Sequence, residues 1–423
     1  MPHILKKAGF LLLIFCLCLG LLWGFLALSA LVPDEAIYDN MLKSALSYKE
    51  KAAFDIPESG RLCGISDNYA DAILLGVALN MGESGALDTK YYSGGDYGEN
   101  AGLYLSLVDE EISPDTDYSR YWHGNAGIAR VKHLYLDVEG MKLTEFLKIL
   151  VLAAFCASLL LWKKCPKSCV CFVLALLSVH IWNVRLSLEY QPVFVIALFM
   201  CILFILLERR GSFALCTLSV IGGVLTAFFD FLTCETLPFL LPLALVFAVR
   251  TEQGRGEKLS SNLKLFLFAG ICFAVSYLGA FLAKWLLASL ATGENKFILA
   301  ATSAGVRFGA EKGAGFLSGI PANLTVLFGG RERIEAARVI LGVAISAAVL
   351  SSAFYLLKKD GYDKGGIITL LIIGATVFLR YAILQNHSYL HEFFTYRALA
   401  ATVFSLFAAV VLSSCGVKRK KKL

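Results

Sequence analysis

FLLLIFCLCLGLLWGFLALSALVPDEAIY, residues 10–38, decides the fold of this 423-residue chain. From Phe10 to Val32 there is no charge over 23 residues. At about 1.5 Å per residue a helix of that length crosses the roughly 30 Å of hydrocarbon in a bilayer. Pro33 ends the run, because its ring removes a backbone donor and clashes with the preceding turn. Asp34 and Glu35 follow at once, where the segment leaves the membrane. The run is too long for the apolar part of a signal peptide and has no small-residue cleavage site behind it, so it is read as a retained anchor.

A mean hydropathy of +0.68, with 57% apolar and 17% charged residues, excludes a soluble domain. Further apolar stretches lie at 143–162, 168–184, 191–208, 212–229, 236–249, 263–290, 336–357, 365–380 and 394–414. The expected fold is an all-α polytopic membrane protein with about ten transmembrane helices and a large helical extracytoplasmic loop after the first. Its parts are a cytoplasmic N-terminus with the first helix (1–32), an outer loop (33–142), helices two to seven (143–290), a second outer loop (291–335), helices eight to ten (336–414) and a basic tail (415–423).

Lys and Arg mark cytoplasmic connections. Lys6/Lys7, Lys163/Lys164/Lys167, Arg209/Arg210, Arg250/Arg255/Lys258/Lys264, Lys358/Lys359/Lys364 and the tail KRKKKL at 418–423 fall at every second connection, so both termini are expected in the cytoplasm. Residues 33–142 carry 19 acidic against 9 basic side chains, net −10, inside a chain of net +6. Topology therefore accounts for the basic total, and no nucleic-acid partner is expected. The expected location is a cell membrane, of bacterial type. Twelve cysteines do not form a disulfide framework, since most lie inside apolar stretches. Cys165, Cys169 and Cys171 lack the His or second CxxC of a zinc site and are read as packing residues.

Within 33–142, Ile37, Met41, Ala45 and Tyr48 repeat at spacings of four, four and three, which gives a helix with one apolar face. That face is expected to rest on lipid or on neighbouring spans. A second helix is expected over 67–81, with Asp67 as its N-cap, and a third near 116–138. SGGDYGENAG at 93–102 reads as a Gly-rich turn. The 291–335 loop is too rich in glycine for a long helix.

Charges beside spans are costly and usually line a cavity. Asp34 and Glu35, Arg185 and Glu189, Asp230 and Glu235, Lys284, Arg380, then His387, His391, Glu392 and Arg397 all fall on the expected outer side. An enzyme acting on a lipid-linked substrate fits that placement better than a mid-membrane relay does.

VPDEAIY at 32–38 resembles the Asp-Glu element that follows the first transmembrane helix in polyprenol-dependent glycosyltransferases of the C superfamily, notably their protein mannosyltransferase and aminoarabinose transferase branches. The resemblance covers about the first 160 residues and the helix count. It implies inverting transfer from a polyprenyl-phosphate-linked sugar to a glycan, lipid or protein acceptor at the outer leaflet. A carboxylate must accept the acceptor hydroxyl's proton, and Asp34 is the expected base, with Glu35 beside it. Arg397 is the expected cation for the departing phosphate, ahead of Arg380, Arg185 and Lys284.

Other candidates for substrate binding come from the residues themselves. Asp67 and Asp71 share a helix face, where their repulsion asks for an offset: a divalent cation, a sugar hydroxyl, or simply the helix N-terminus. His123 and Arg130 are candidate sugar or phosphate contacts, Asp230 stands among phenylalanines, and His387 and His391 share a face without a third metal ligand. The plainer readings are that Asp34 and Glu35 cap the helix after Pro33, that Arg397 marks an interface and that His123 packs. No cofactor is required by these residues, and a metal ligand set is not assigned. Rival functions are a transporter or flippase of a lipid-linked sugar, or a non-catalytic membrane scaffold. Sequons stand at Asn323 and Asn386.

Overall fold

A computed structural model describes residues 2–57, 61–309, 315, 317–328 and 363–413. The chain folds almost wholly into helices. The first is α1 (Pro2–Ala30), which stops at Pro33, and α2 (Asp34–Tyr48) starts directly after it. Next come α3 (Asn68–Ser84), α4 (Gly98–Val108), α5 (Gly124–Lys132) and the long α6 (Val138–Trp162). Two ribbons of two-residue strands stitch this part together: β1 (Phe54–Asp55) pairs antiparallel with β2 (Ser66–Asp67), and β3 (Lys90–Tyr91) with β4 (Thr116–Asp117).

The remaining helices are α7 (Pro166–Ser178), α8 (Gln191–Leu207), α9 (Ser212–Phe229), α10 (Leu237–Glu252), α11 (Leu259–Thr292), α12 (Lys296–Arg307) and α13 (Gly319–Leu327). Helices Lys364–Ile383, Gln385–Leu390, Glu392–Thr395 and Leu399–Leu412 complete the described chain.

Among the described residues, six segments are long and apolar enough to cross a membrane: Ile4–Ala30, Val138–Trp162, Ser212–Phe229, Leu259–Thr292, Lys364–Ile383 and Glu392–Leu412. The fold fits an integral membrane protein. Against the ten expected spans, the stretches at 168–184, 191–208 and 236–249 form helices of 13, 17 and 16 residues. The first of these is cut short because the chain turns at His180, whose φ of 54° is left-handed, into a 3₁₀ segment over Ile181–Leu186. The expected stretch 336–357, Lys358 and Lys359, the tail 415–423 and much of 310–335 lie outside the described residues.

α10 is the centre of the bundle: Leu237 through Thr251 are all buried, Pro242 included. α9 and α11 approach closely through Gly223, where a Cβ would run into Ser276 and the Phe273 carbonyl.

The 33–142 region differs from a set of helices resting on lipid. Ile37, Met41, Ala45 and Tyr48 are 0% exposed and pack with Leu75, Val77, Ala78 and Met81 of α3, Ala126 of α5 and Trp122 into a core that also takes in Leu26 of α1, Met141 of α6 and Phe228 of α9. α4 begins inside the glycine-rich stretch read as a turn; the turn itself is the 3₁₀ segment Gly95–Tyr97 just before it.

Candidate functional site

Two hollows meet beside the start of α3. A cleft of about 250 Å³ is lined by Asp67, Tyr69, Tyr118, Arg120, Tyr121, His123, Glu189, Arg307, His387 and His391. A groove of about 620 Å³ adjoins it, walled by Phe273, Tyr277, Leu278, Phe281 and Trp285 of α11, Ala300 and Ala304 of α12, and Leu379, Ile383 and Leu384. Arg120, Tyr121 and Arg307 line both. Polar chemistry thus sits at one end of an apolar channel, with two guanidinium groups at the join.

Asp67 ends β2 and caps α3, its Oδ1 accepting from the Ala70 N–H at 2.9 Å. Burial, reinforced by the charge of Asp71 and opposed by that capping bond, pushes its carboxyl up to about 7. Glu189 is 8% exposed and its carboxylate makes no hydrogen bond or ion pair among the described residues. Burial first, then Asp67, Asp71 and Asp230, hold its carboxyl well above the usual range. The cleft therefore pairs a carboxyl that titrates near neutrality with one that burial holds well above the usual carboxylate range.

Three imidazoles complete the cleft, all neutral. Burial lowers His123 to about 3 and His391 to about 4, and holds His387 well below its ordinary value. His123 Nε2 lies 2.7 Å from the Tyr118 carbonyl and His387 Nε2 lies 2.9 Å from that of Leu232. A carbonyl only accepts, so both Nε2 atoms carry the proton and their Nδ1 atoms are left as acceptors. The His387 and His391 rings are 4.7 Å apart, as one helical turn dictates.

Arg120 stacks on Tyr118 at 4.2 Å and on Tyr121 at 5.2 Å, and Arg307 lies 5.7 Å over Tyr121. The Nε atoms of both are buried without a partner among the described residues. Arg307 Nη1 donates to the Ser303 carbonyl at 3.1 Å, and the remaining guanidinium edges, held on aromatic faces, are placed to meet an oxyanion.

The cleft gathers Asp67, His123, His387 and His391 from the expected site and leaves the other six outside. Asp34 is tied to the buried Arg130, Oδ1 to Nη2 at 2.5 Å, and Glu35 is exposed on α2. Arg130 also donates to the carbonyls of Ala78 and Leu79 at 2.8 and 2.9 Å and to that of Val32. Asp71 is 0% exposed and accepts from Tyr48 Oη (2.8 Å), Ser187 Oγ (2.6 Å), the Leu188 N–H (2.8 Å) and Lys142 Nζ (3.0 Å). That set answers the repulsion between Asp67 and Asp71 with protein groups.

Asp230 caps the end of α9 and accepts from Thr233; burial pushes it up to about 7. Arg397 is 1% exposed, 4.3 Å over the Tyr190 ring, and its three nitrogens have no hydrogen-bond partner among the described residues. Of the weaker cations, Arg380 grips Glu235 through Nε at 2.9 Å and Nη2 at 3.0 Å, and Lys284 donates to the Leu87 carbonyl at 3.0 Å. Among the described residues no group of three His, Cys, Asp or Glu could hold a metal ion.

Glu189, Arg120 and Arg307 are the site residues that sequence reading did not single out. Glu189 was visible only as one of many charges beside spans, and Arg307 stood within a loop rich in glycine. Comparison of the chain with protein-family models, with curated proteins and with solved structures gives no match.

Proposed function

We propose that this protein is a membrane glycosyltransferase that moves a sugar from a polyprenyl-phosphate donor to a glycan, lipid or protein hydroxyl at the outer face of the membrane. The observation that carries the reading is the junction at Arg120 and Arg307, where an apolar groove facing the spans meets a cleft of carboxyl and imidazole groups. An isoprenoid tail fits the groove, its phosphate the two guanidinium groups, and its sugar the cleft. About ten spans, a bacterial membrane and cytoplasmic termini belong to the same reading.

In the transfer, the acceptor oxygen bonds to the anomeric carbon while the bond from that carbon to the phosphate oxygen breaks. The leaving polyprenyl phosphate takes the electron pair, and Arg120 and Arg307 stabilise the charge it gains. The acceptor proton goes to Asp67, whose carboxyl titrates near 7 and is matched to that task. Glu189, whose carboxyl burial holds well above its usual range, donates in its protonated form to a sugar or acceptor oxygen. We assign the base to Asp67 rather than to Asp34 because Arg130 already occupies the Asp34 carboxylate.

The test is transfer from a radiolabelled polyprenyl-phosphate sugar by wild type and by Asp67→Asn, which retains the cap on α3. The expected loss is about 10²- to 10⁴-fold. Wild-type turnover in the folded variant would refute the assignment.

A further inference from the structure

We propose that a second cavity, separate from the transfer site, holds a membrane phospholipid whose headgroup carries both a phosphate and a primary amine. The cavity has a volume of about 410 Å³ and lies on the other side of the β1–β2 ribbon from the cleft. Successive side chains of a strand point to opposite faces. Asp67 accordingly enters the cleft, while Ser66 and Asn68 line the second cavity.

Its charges match a zwitterion. Arg185 is exposed there and makes no hydrogen bond or ion pair among the described residues, and Lys51 lies 5.2 Å over the Tyr48 ring with one loose ion pair, to Glu139 at 3.9 Å. Lys142 also lines the cavity but is committed to Asp71 at 3.0 Å, with Glu139 farther off at 4.0 Å. Two cations are thus left for a phosphate. On the acidic side, Asp55 has no partner among the described residues, and Glu139 is 61% exposed at its side chain. A primary ammonium donates to two such carboxylates; a choline headgroup has no N–H to give, and a glycerol headgroup leaves both facing an anion.

Depth selects a lipid over free phosphate. Glu139, Lys142, Leu143 and Phe146 occupy the opening turns of α6, a segment long and apolar enough to span. The charged side chains of α6 run from Glu139 to Lys148, which is 46% exposed and 2.7 Å from Glu145, and they mark the headgroup level. At about 1.5 Å per residue, Val151 lies about 18 Å along the helix from Glu139, more than the roughly 5–8 Å of one headgroup layer. Beyond Lys148, Leu150, Val151 and Phe155 are 41–67% exposed on the same helix, a surface that acyl chains cover.

The test uses the full-length protein, delipidated in detergent and titrated with phosphatidylethanolamine, phosphatidylglycerol or phosphatidylcholine, with native mass spectrometry counting retained lipid. We expect one phosphatidylethanolamine per chain, retained at least tenfold better than the other two. Arg185→Gln and the pair Asp55→Asn with Glu139→Gln are each expected to lower retention at least tenfold, whereas Lys43→Glu, on the exposed face of α2, leaves it unchanged. Each substitution is at an exposed side chain, so folding is expected to survive. Equal retention of the three lipids, wild-type retention by Arg185→Gln, or competition by soluble glycerophosphoethanolamine at the lipid's own concentration would each overturn the proposal. Arg185→Gln is expected to keep polyprenyl-phosphate binding in the groove, so this reading and the transfer reading fail separately.

Discussion

Asp34 and Arg130 form a clamp that joins the end of the first span to the end of α3, the carboxylate and guanidinium meeting at 2.5 Å while Arg130 also binds the Ala78 and Leu79 carbonyls. The clamp closes over Gly82, where a Cβ would stand 2.5 Å from Arg130 Nη2 and 3.0 Å from Asp34 Oδ1. A carboxylate at the exit of a first span reads as a catalytic base by position alone. Here it anchors the helices that shape the cleft.

The two partners of that clamp are expected to fail differently. Arg130 is 0% exposed, and Arg130→Ala strands three carbonyls and a carboxylate, a loss of about 3–5 kcal/mol. Asp34 is 43% exposed at its side chain, so solvent screens the pair and Asp34→Asn costs about 1 kcal/mol or less. Denaturation in detergent measures both. Transfer by Asp34→Asn stays within a few fold of wild type, and Gly82→Ala behaves as a milder Arg130→Ala.

Asp71 is expected to matter for folding and not for chemistry. Asp71→Ala leaves Lys142 buried without its counter-charge and Tyr48 and Ser187 without an acceptor, a loss of about 3–5 kcal/mol. Replacing Asp71 and Lys142 together, by Asn and Met, is expected to recover part of that loss, because no charge then remains unpaired. Unfolding midpoints of the single and double variants decide it.

The pH dependence has a defined sign. Asp67 titrates near 7 when folded, above the usual carboxyl value, so between about 4 and 7 the folded state binds more protons than the unfolded chain. Its contribution to stability is fully present below the unfolded value and is lost as pH rises through 7. Thermal stability is expected to fall from pH 5 to pH 7.5 in wild type by more than in Asp67→Asn. Transfer runs the other way, rising through about pH 7 as the base loses its proton.

The buried pair of Arg380 and Glu235 lines the groove and is expected to be structural. Arg380→Gln leaves Glu235 with an uncompensated charge at 2% and 10% side-chain exposure for the two partners, a loss of about 3–5 kcal/mol. The measurement is the unfolding midpoint in detergent, and a variant as stable as wild type would contradict this role.

Much of this was legible in the sequence, and the limits have physical causes. The Ile37, Met41, Ala45, Tyr48 spacing gave α2, and Asp67 before an apolar run gave the cap of α3. Periodicity shows which face is buried but not against what, so it leaves lipid and neighbouring spans open for α2, whose face packs on α3, α5 and Trp122 together with Leu26, Met141 and Phe228. The clamp joins residues 96 apart, and the cleft collects side chains from β2, the turn before α5, the loop before α8, α12 and the 385–390 helix. Nothing local in the chain records such meetings. The place of Arg397 before the last helix suits a phosphate cation, yet the side chain lies on Tyr190 and lines neither hollow.

The most direct test is binding of undecaprenyl phosphate to the purified protein in nanodiscs, compared between wild type, Arg120→Ala with Arg307→Ala, and Asp34→Asn. Each charge-assisted contact is worth about 1.5–3 kcal/mol, so removing both guanidinium groups is expected to weaken binding by at least about 100-fold, with Asp34→Asn unchanged. Wild-type affinity in the double arginine variant, or its loss in Asp34→Asn alone, would contradict the placement of the reaction at the junction of cleft and groove.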